Sequence, residues 1–124
     1  MKNGSMGNAL VIDDELDICL MMNRHLQNLR FEPQYALTIK DARSKIDHSA
    51  FELMFIDLNL TDGSGFDILR YAHTLNLTAK MIVISAHDSE ASKALELGAS
   101  LFISKPFTIK TINEALKKLN FITN

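Results

Sequence analysis

Cysteine is nearly absent from this chain: Cys19 stands alone among 124 residues. A single thiol excludes an internal disulfide and lacks the partners of a metal cluster. Cys19 falls in an amphipathic helical pattern, the setting of a packed, inert side chain, and a reducing, cytoplasmic compartment is expected. Charge of one sign is also lacking. The net charge is -2, which argues against direct nucleic-acid binding through a phosphate backbone. No apolar stretch approaches the ~20 residues of a membrane helix, so no membrane association is expected. Met1–Gly7 has no apolar core like that of a secretory signal; it reads as an N-terminal extension, with the look of a cloning remnant in Gly4-Ser5-Met6. Tryptophan is missing, and no linker or low-complexity segment interrupts the chain. What remains is one globular domain, 47% hydrophobic and 23% charged, long enough to bury a core.

What is present alternates. Ala9-Leu10-Val11-Ile12 is a short apolar strand that stops at Asp13-Asp14-Glu15. From Leu16 to Leu29 the spacing is helical: Leu16, Leu20, Leu26 and Leu29 form a stripe, interrupted by Asn23 and widened by Ile18, Cys19 and Met22. The acids at its start suit the positive end of a helix dipole. Glu32–Ala36 is a weak strand, and Pro33 places it at a sheet edge or makes it a strand's first residue. Thr38 can cap a helix running through Ser49 with Ile39, Ala42 and Ile46 on its apolar side. The run from Phe51 to Leu60 is apolar up to one carboxylate, Asp57, and gives way to Thr61-Asp62-Gly63-Ser64-Gly65. A short run bounded by turn signals reads as a buried parallel strand. Gly65 or Ser64 opens a third helix carrying Phe66, Ile68, Leu69 and Ala72. Lys80–Ser85 is a β-branched fourth strand, and Ser89 can cap a fourth helix ending at Gly98. Leu101–Ser104 is the fifth strand, followed by Lys105-Pro106-Phe107. Thr108 caps the last helix, with Ile109, Ile112, Leu116 and Leu119 on one face.

Strands alternating with helices predict an α/β domain whose parallel five-stranded sheet is covered on both faces. Right-handed crossovers leave few topologies, and 2-1-3-4-5 is the common order, which puts the proline-bearing second strand at an edge. A parallel sheet also brings the carboxyl ends of its strands to one side. There the chain offers Asp13 and Asp14, Asp57, Ser85 and Lys105. Open α/β sheets place their ligands at that side.

Convergent carboxylates repel: two unit charges at ~4 Å cost roughly 4 kcal/mol at an effective dielectric near 20. A proton or a cation must offset this. Hard oxygen ligands on an open edge suit Mg²⁺, which keeps several waters and leaves room for a phosphate oxygen. The Lys105 ammonium and the Ser85 hydroxyl suit the same phosphate. Phosphoryl transfer needs such a clamp and an in-line nucleophile, a part that carboxylates play in aspartyl-phosphate chemistry. Asp57, in the middle of the sheet, is the candidate. Each residue taken alone has a plainer reading. Asp57 can start a turn, Asp13 and Asp14 can cap a helix, Ser85 can be an ordinary strand-end hydroxyl, and Lys105 a solvated surface lysine. Only the combination is specific.

The segments Val11-Ile12-Asp13-Asp14-Glu15, Asp57 with Asp62-Gly63-Ser64-Gly65 after it, Ile84-Ser85-Ala86 and Ser104-Lys105-Pro106-Phe107 together resemble the receiver domain of bacterial two-component response regulators. The likeness runs from about Asn8 to Leu119, with residues 8–124 forming the domain. It implies a flavodoxin-like (βα)5 fold and a signalling domain that catalyses only its own aspartyl phosphorylation and dephosphorylation. Asp57 matches the phosphoacceptor, charged by a sensor histidine kinase or a histidine phosphotransfer protein. Asp14 and Asp57 match direct Mg²⁺ ligands, Asn59 the position whose backbone carbonyl is a third, and Asp13 the acid that acts through metal-bound water. Ser85 matches the hydroxyl that moves to the phosphoryl group, and Lys105 the phosphate-binding lysine, in a bond to Pro106 that is typically cis. Phe102 matches the aromatic switch position, with plain core packing as its other reading. Asn59 and His87 occupy positions that flank the water attacking the acyl phosphate, so His87 is expected to tune phosphoryl lifetime; otherwise it is an exposed loop histidine. Thr61 stands where many receivers have proline. The implied output is a population shift at the face of helix 4, strand 5 and helix 5, read by a downstream protein or a fused output domain, or used for dimerisation.

Rival readings fit less well. A flavodoxin needs hydroxyls and glycines after strand 1, where Asp13-Asp14-Glu15 would repel a flavin phosphate. A dehalogenase-type phosphatase wants an acid two residues after its nucleophile, where this chain has Asn59. Gly63-Ser64-Gly65 follows the wrong strand for a dinucleotide binder and lacks a third glycine. The serious alternative is a receiver-like interaction module that works without phosphorylation; the intact ligand set argues against it.

Overall fold

The computed structural model describes residues 4–123; residues 1–3 of the expected N-terminal extension, and Asn124, lie outside the described residues. The elements are β1 (Asn8–Ile12), α1 (Leu16–Asn28), β2 (Glu32–Ala36), α2 (Ile39–His48), β3 (Leu53–Asp57), β4 (Asn59–Leu60), β5 (Gly63–Ser64), α3 (Phe66–Thr74) and β6 (Lys80–Ser85). A 3-10 turn (Asp88–Glu90), α4 (Ala91–Glu96), β7 (Leu101–Ser104) and α5 (Ile109–Lys118) follow. The main sheet has the order β2-β1-β3-β6-β7, and every pairing in it is parallel. That is the expected 2-1-3-4-5 arrangement of five principal strands. The sequence reading does not anticipate β4 and β5, which form a separate two-residue antiparallel hairpin after Asp57.

Both faces of the sheet are covered, so successive residues of a strand enter different cores. Leu10, Ile12, Met54, Ile56, Met81 and Val83 pack with Ala42 and Ile46 of α2, Phe66 and Leu69 of α3, and Ala94 of α4. Ala9, Val11, Leu53, Phe55, Ile82, Ile84 and Ile103 pack with Cys19, Met22 and Leu26 of α1 and Ile112 and Leu116 of α5. All five residues of β3 are buried, which fixes the central strand and the carboxylate at its end. Each large apolar side chain buried there contributes about 1.5–3 kcal/mol.

Side-chain caps set two helix starts. Thr38 accepts from the Asp41 N–H at the start of α2, and Thr108 forms a reciprocal capping box with Thr111 at the start of α5. Asp62, in the turn between β4 and β5, accepts from the N–H groups of Ile39 (2.8 Å) and Lys40 (3.1 Å). The bond from Ile39 leads in holding the Asp62 carboxyl below its ordinary range. Before β1, the Met6 N–H donates to Arg30 and the Glu32 N–H to Gly7, so the described end of the expected extension runs onto β2.

Two helices differ from expectation. On α1 the buried residues are Cys19, Met22 and Leu26, whereas Leu16 and Leu20 are 44% and 49% exposed. A helix turns about 100° per residue, so Leu20 lies a quarter-turn round from Cys19; the apolar stripe is wider than the face the sheet covers. The fourth helix is shorter than the expected Ser89–Gly98 span. Ser89 lies within the 3-10 turn, and the residue preceding α4 is Glu90, without a side-chain cap. Of the six residues of α4, only Ala94 is buried.

Candidate functional site

At the carboxyl edge of the sheet, the row of side chains facing α1 and α5 ends in charge. Asp57 is the last residue of β3, Asp13 follows β1 and Lys105 follows β7. Asp13 and Asp57 are each 2% exposed, and their backbones hold them. Asp13 Oδ1 accepts from the Glu15 N–H at 2.8 Å, and Asp57 Oδ1 from the Asn59 N–H at 3.2 Å. Lys105 Nζ donates to Asp57 Oδ2 at 3.1 Å and lies 3.7 Å from Asp13 Oδ2. Asp14, more open to solvent, completes a group of three carboxylates that each bring one oxygen within 4.8 Å of the others.

The electrostatics follow from this burial. Desolvation pushes the Asp13 carboxyl up to about 6, opposed by the Glu15 N–H and reinforced by the Asp57 charge. Burial likewise raises Asp57, against the Asn59 N–H and Lys105. For Lys105, burial acts downward, but the charge of Asp13 and the bond to Asp57 prevail and its pKa is raised. Cys19, whose Sγ donates to the Asp13 carbonyl at 3.4 Å, is pushed by burial to about 12, so the thiol is packed and inert as expected. Three carboxylates against one ammonium leave a deficit that a divalent cation would fill. Carboxylate oxygens on an open edge are the donor set Mg²⁺ takes, so the residues present fit that ion.

The neighbouring row, facing α4, ends differently. Ser85 is fully buried. Its hydroxyl donates to Glu90 Oε1 at 2.6 Å and accepts from the His87 N–H at 3.0 Å. Ser104, at the end of β7, bonds to Asp88 of the same turn. Phe102 is half-buried against the core that includes α4. The structure thus brings Asp13, Asp14, Asp57 and Lys105 together, while Ser85 is turned to Glu90. Asn59 is exposed and its amide supports Asp57; the side chain of His87 is exposed and its backbone N–H supports Ser85. The Lys105–Pro106 bond is cis.

Three residues take parts that the sequence reading does not assign them, although Asp62 and Gly65 lie in the motif quoted above. Gly65 packs so closely that an added Cβ would lie 2.3 Å from the Asp57 carbonyl oxygen; its place in Gly63-Ser64-Gly65 was the available signal. Asp62 ties the hairpin to α2, and a turn aspartate four residues before α3 gives little hint of that distant partner. Glu90 had no signal, since an acid at a helix start reads as a complement to the helix dipole.

A doubly wound sheet with an acidic pocket and an opposing lysine at its carboxyl edge fits an α/β domain that accepts a phosphoryl group. Residues 9–117 match the response regulator receiver domain, and the chain belongs to that family. Receiver domains are charged by histidine kinases and bind Mg²⁺ at their acidic pocket. The sensory transduction protein LytR of Staphylococcus epidermidis is 32% identical over 90% of this chain and 45% of its own length. The response regulator protein PilR of Pseudomonas aeruginosa is 32% identical over 86% of this chain and 24% of its own. The chain therefore spans about half or less of the length of these curated relatives. Among solved structures, a CheY-like receiver domain from Methanospirillum hungatei superposes with a TM-score of 0.86 at 26% identity, covering 93% of this chain and 94% of that one. The response regulator TrrA of Thermotoga maritima, in complex with Mg(2+)-BeF, gives 0.81 at 25% identity, over 91% and 98%. Among the described residues no helix is long and apolar enough to cross a membrane.

Proposed function

We propose that Asp57 is the phosphoacceptor of this receiver domain, with Asp13, Asp14, Asp57 and the Asn59 backbone carbonyl holding Mg²⁺. The observation that carries the reading is the buried Asp57 carboxylate at the end of the central strand, bonded to Lys105. When bound, the ion supplies charge compensation for the phosphoryl oxygens. The remaining work falls to the protein. Burial raises the Asp57 pKa, toward its protonated, non-nucleophilic form, and the Asn59 N–H and Lys105 oppose that shift. A carboxylate oxygen attacks phosphorus in line, the O–P bond forms as the donor's N–P bond breaks, and the imidazole nitrogen keeps the electron pair. Lys105 stands where it can bond a phosphoryl oxygen after transfer. Ser85 supplies a second donor once its hydroxyl turns from Glu90.

The finer partners follow from surface. Leu20 and Met21 of α1 are exposed next to an apolar recess formed by Ile18, Met21, Pro106 and Phe107 beside Lys105, which offers a histidine-bearing donor protein a seat. The face of α4, β7 and α5 is the output surface, for a partner, a fused domain or a second receiver; thin packing of α4 and half-burial of Phe102 support it. Asn59 and His87 tune the lifetime of the acyl phosphate, and a dephosphorylation rate unchanged in His87→Ala would remove His87 from that role.

The test of the main reading is intact mass after incubation with acetyl phosphate, with and without Mg²⁺. The expected result is a metal-dependent gain of one phosphoryl group that disappears in Asp57→Asn. A gain that survives in the mutant would mean another carboxylate is the acceptor, and its persistence without Mg²⁺ would remove the metal from the account.

A further inference from the structure

Ser85 and Ser104 end adjacent strands and are paired in register. Both hydroxyls are bonded to carboxylates of one 3-10 turn: Ser85 to Glu90 at 2.6 Å, and Ser104 to Asp88. The same turn opens α4. A serine hydroxyl has a single proton to donate. While Ser85 donates to Glu90, it cannot donate to a phosphoryl oxygen on Asp57. One of its lone pairs is engaged as well, by the His87 N–H at 3.0 Å, so the hydroxyl is oriented by two bonds. Bonds to a charged acceptor are the stronger class, and this one is partly buried, with Ser85 fully buried and Glu90 half-buried.

We propose that Glu90 is a positioning residue: it holds the Ser85 hydroxyl away from the pocket in the unphosphorylated domain and competes for it with the phosphoryl group. This rests on the reading of Asp57 as phosphoacceptor and adds its regulation. When the phosphoryl group wins, Ser85 exchanges one anionic acceptor for another. Glu90 is released, and with it one of the two ties between the α4 turn and the sheet edge. The strength of the Ser85–Glu90 bond therefore sets how much phosphoryl binding must supply before α4 is freed. Nothing in this needs Glu90 to touch phosphorus or metal.

Beryllofluoride, a phosphoryl mimic, tests it on the full chain at saturating Mg²⁺, with binding followed by calorimetry and by amide NMR. Glu90→Ala should bind the mimic about tenfold more tightly, the order expected from removing a competing bond to a charged group. Glu90→Gln should fall between wild type and Glu90→Ala, because its amide oxygen still accepts from Ser85 but as a weaker, uncharged acceptor. In a Ser85→Ala background, Glu90→Ala should change nothing. Unchanged affinity in Glu90→Ala would overturn the inference alone. Equal tightening in Glu90→Ala and Glu90→Gln would assign the effect to charge and overturn it too, as would an effect that persists without Ser85. A wild-type chain that binds no beryllofluoride would overturn the phosphoacceptor reading and this inference with it. Amide spectra of each variant that match wild type outside residues 85–96 exclude misfolding as the source.

Discussion

Asp13, Asp57 and Lys105 continue the strand row that faces α1 and α5, whereas Ser85, Phe102 and Ser104 continue the row that faces α4. The first group is held by backbone. Two buried carboxylates accept main-chain N–H groups and share one ammonium. The second is held largely by side chains of a 3-10 turn and covered by a helix of six residues. Moving a member of the first group strands a buried charge, which costs several kcal/mol. Moving a member of the second exchanges hydrogen bonds worth about 1 kcal/mol each. One edge of one sheet thus carries a half held by main chain and buried charge and a half held by side-chain hydrogen bonds, and strand alternation keeps them apart. A conformational equilibrium biased by a few kcal/mol needs this division.

The sharpest break of the comparison is Lys105→Ala. Phosphoryl incorporation should fall roughly 100-fold, as for loss of one preorganised donor. Mg²⁺ should bind more tightly, because the ammonium no longer competes for the same carboxylates. Phosphorylation kinetics and a calorimetric Mg²⁺ titration would show opposite signs; parallel losses would mean that Lys105 mainly supports the fold. Next is Gly65→Ala, which forces a Cβ against the Asp57 backbone and should cost about 2 kcal/mol of stability, read as a lower midpoint in denaturant.

Asp13→Asn is third, with about a tenfold loss of Mg²⁺ affinity. It also carries a pH signature. The folded pKa of Asp13, about 6, lies above its ordinary 3.8. Its stabilising contribution is therefore full below about pH 4 and is lost as pH rises through about 6. With chelator present, wild type should lose stability relative to Asp13→Asn across that window. Wild-type Mg²⁺ affinity should fall as pH drops below about 6, where protons compete, and the mutant should be flatter. Thermal melts and titrations at several pH values check both. The smallest effect belongs to Thr108→Ala, which removes the α5 cap for about 1 kcal/mol and should leave phosphorylation as it was.

The carboxylate half of the edge is far more legible in the sequence than the half beside α4, for physical reasons. Strands buried on both faces leave near-continuous apolar runs, so β1, β3 and β6 announce themselves and their last residues can be read off. Parallel pairing then gathers Asp13, Asp14, Asp57 and Lys105 without further information. The α4 region offers no such constraint. Its helix is too short and too polar for periodicity to fix its ends, so Ser89 reads as a cap although it lies within the 3-10 turn. The bond from Glu90 to Ser85 depends on how the turn folds back, which no local pattern encodes. Leu16 and Leu20 show the same limit on α1. Periodicity gives the width of an apolar stripe, but which part meets the sheet is set by packing.

Residue-resolved amide NMR of the full chain, first with Mg²⁺ alone and then with Mg²⁺ and beryllofluoride, tests the division most directly. Mg²⁺ alone should shift the signals of Asp13, Asp14, Asp57 and Asn59 and leave Glu90, Ala91–Glu96 and Phe102 in place, and the phosphoryl mimic should then move the second set. Signals of α4 that move with Mg²⁺ alone, or stay fixed when beryllofluoride binds, would contradict that division.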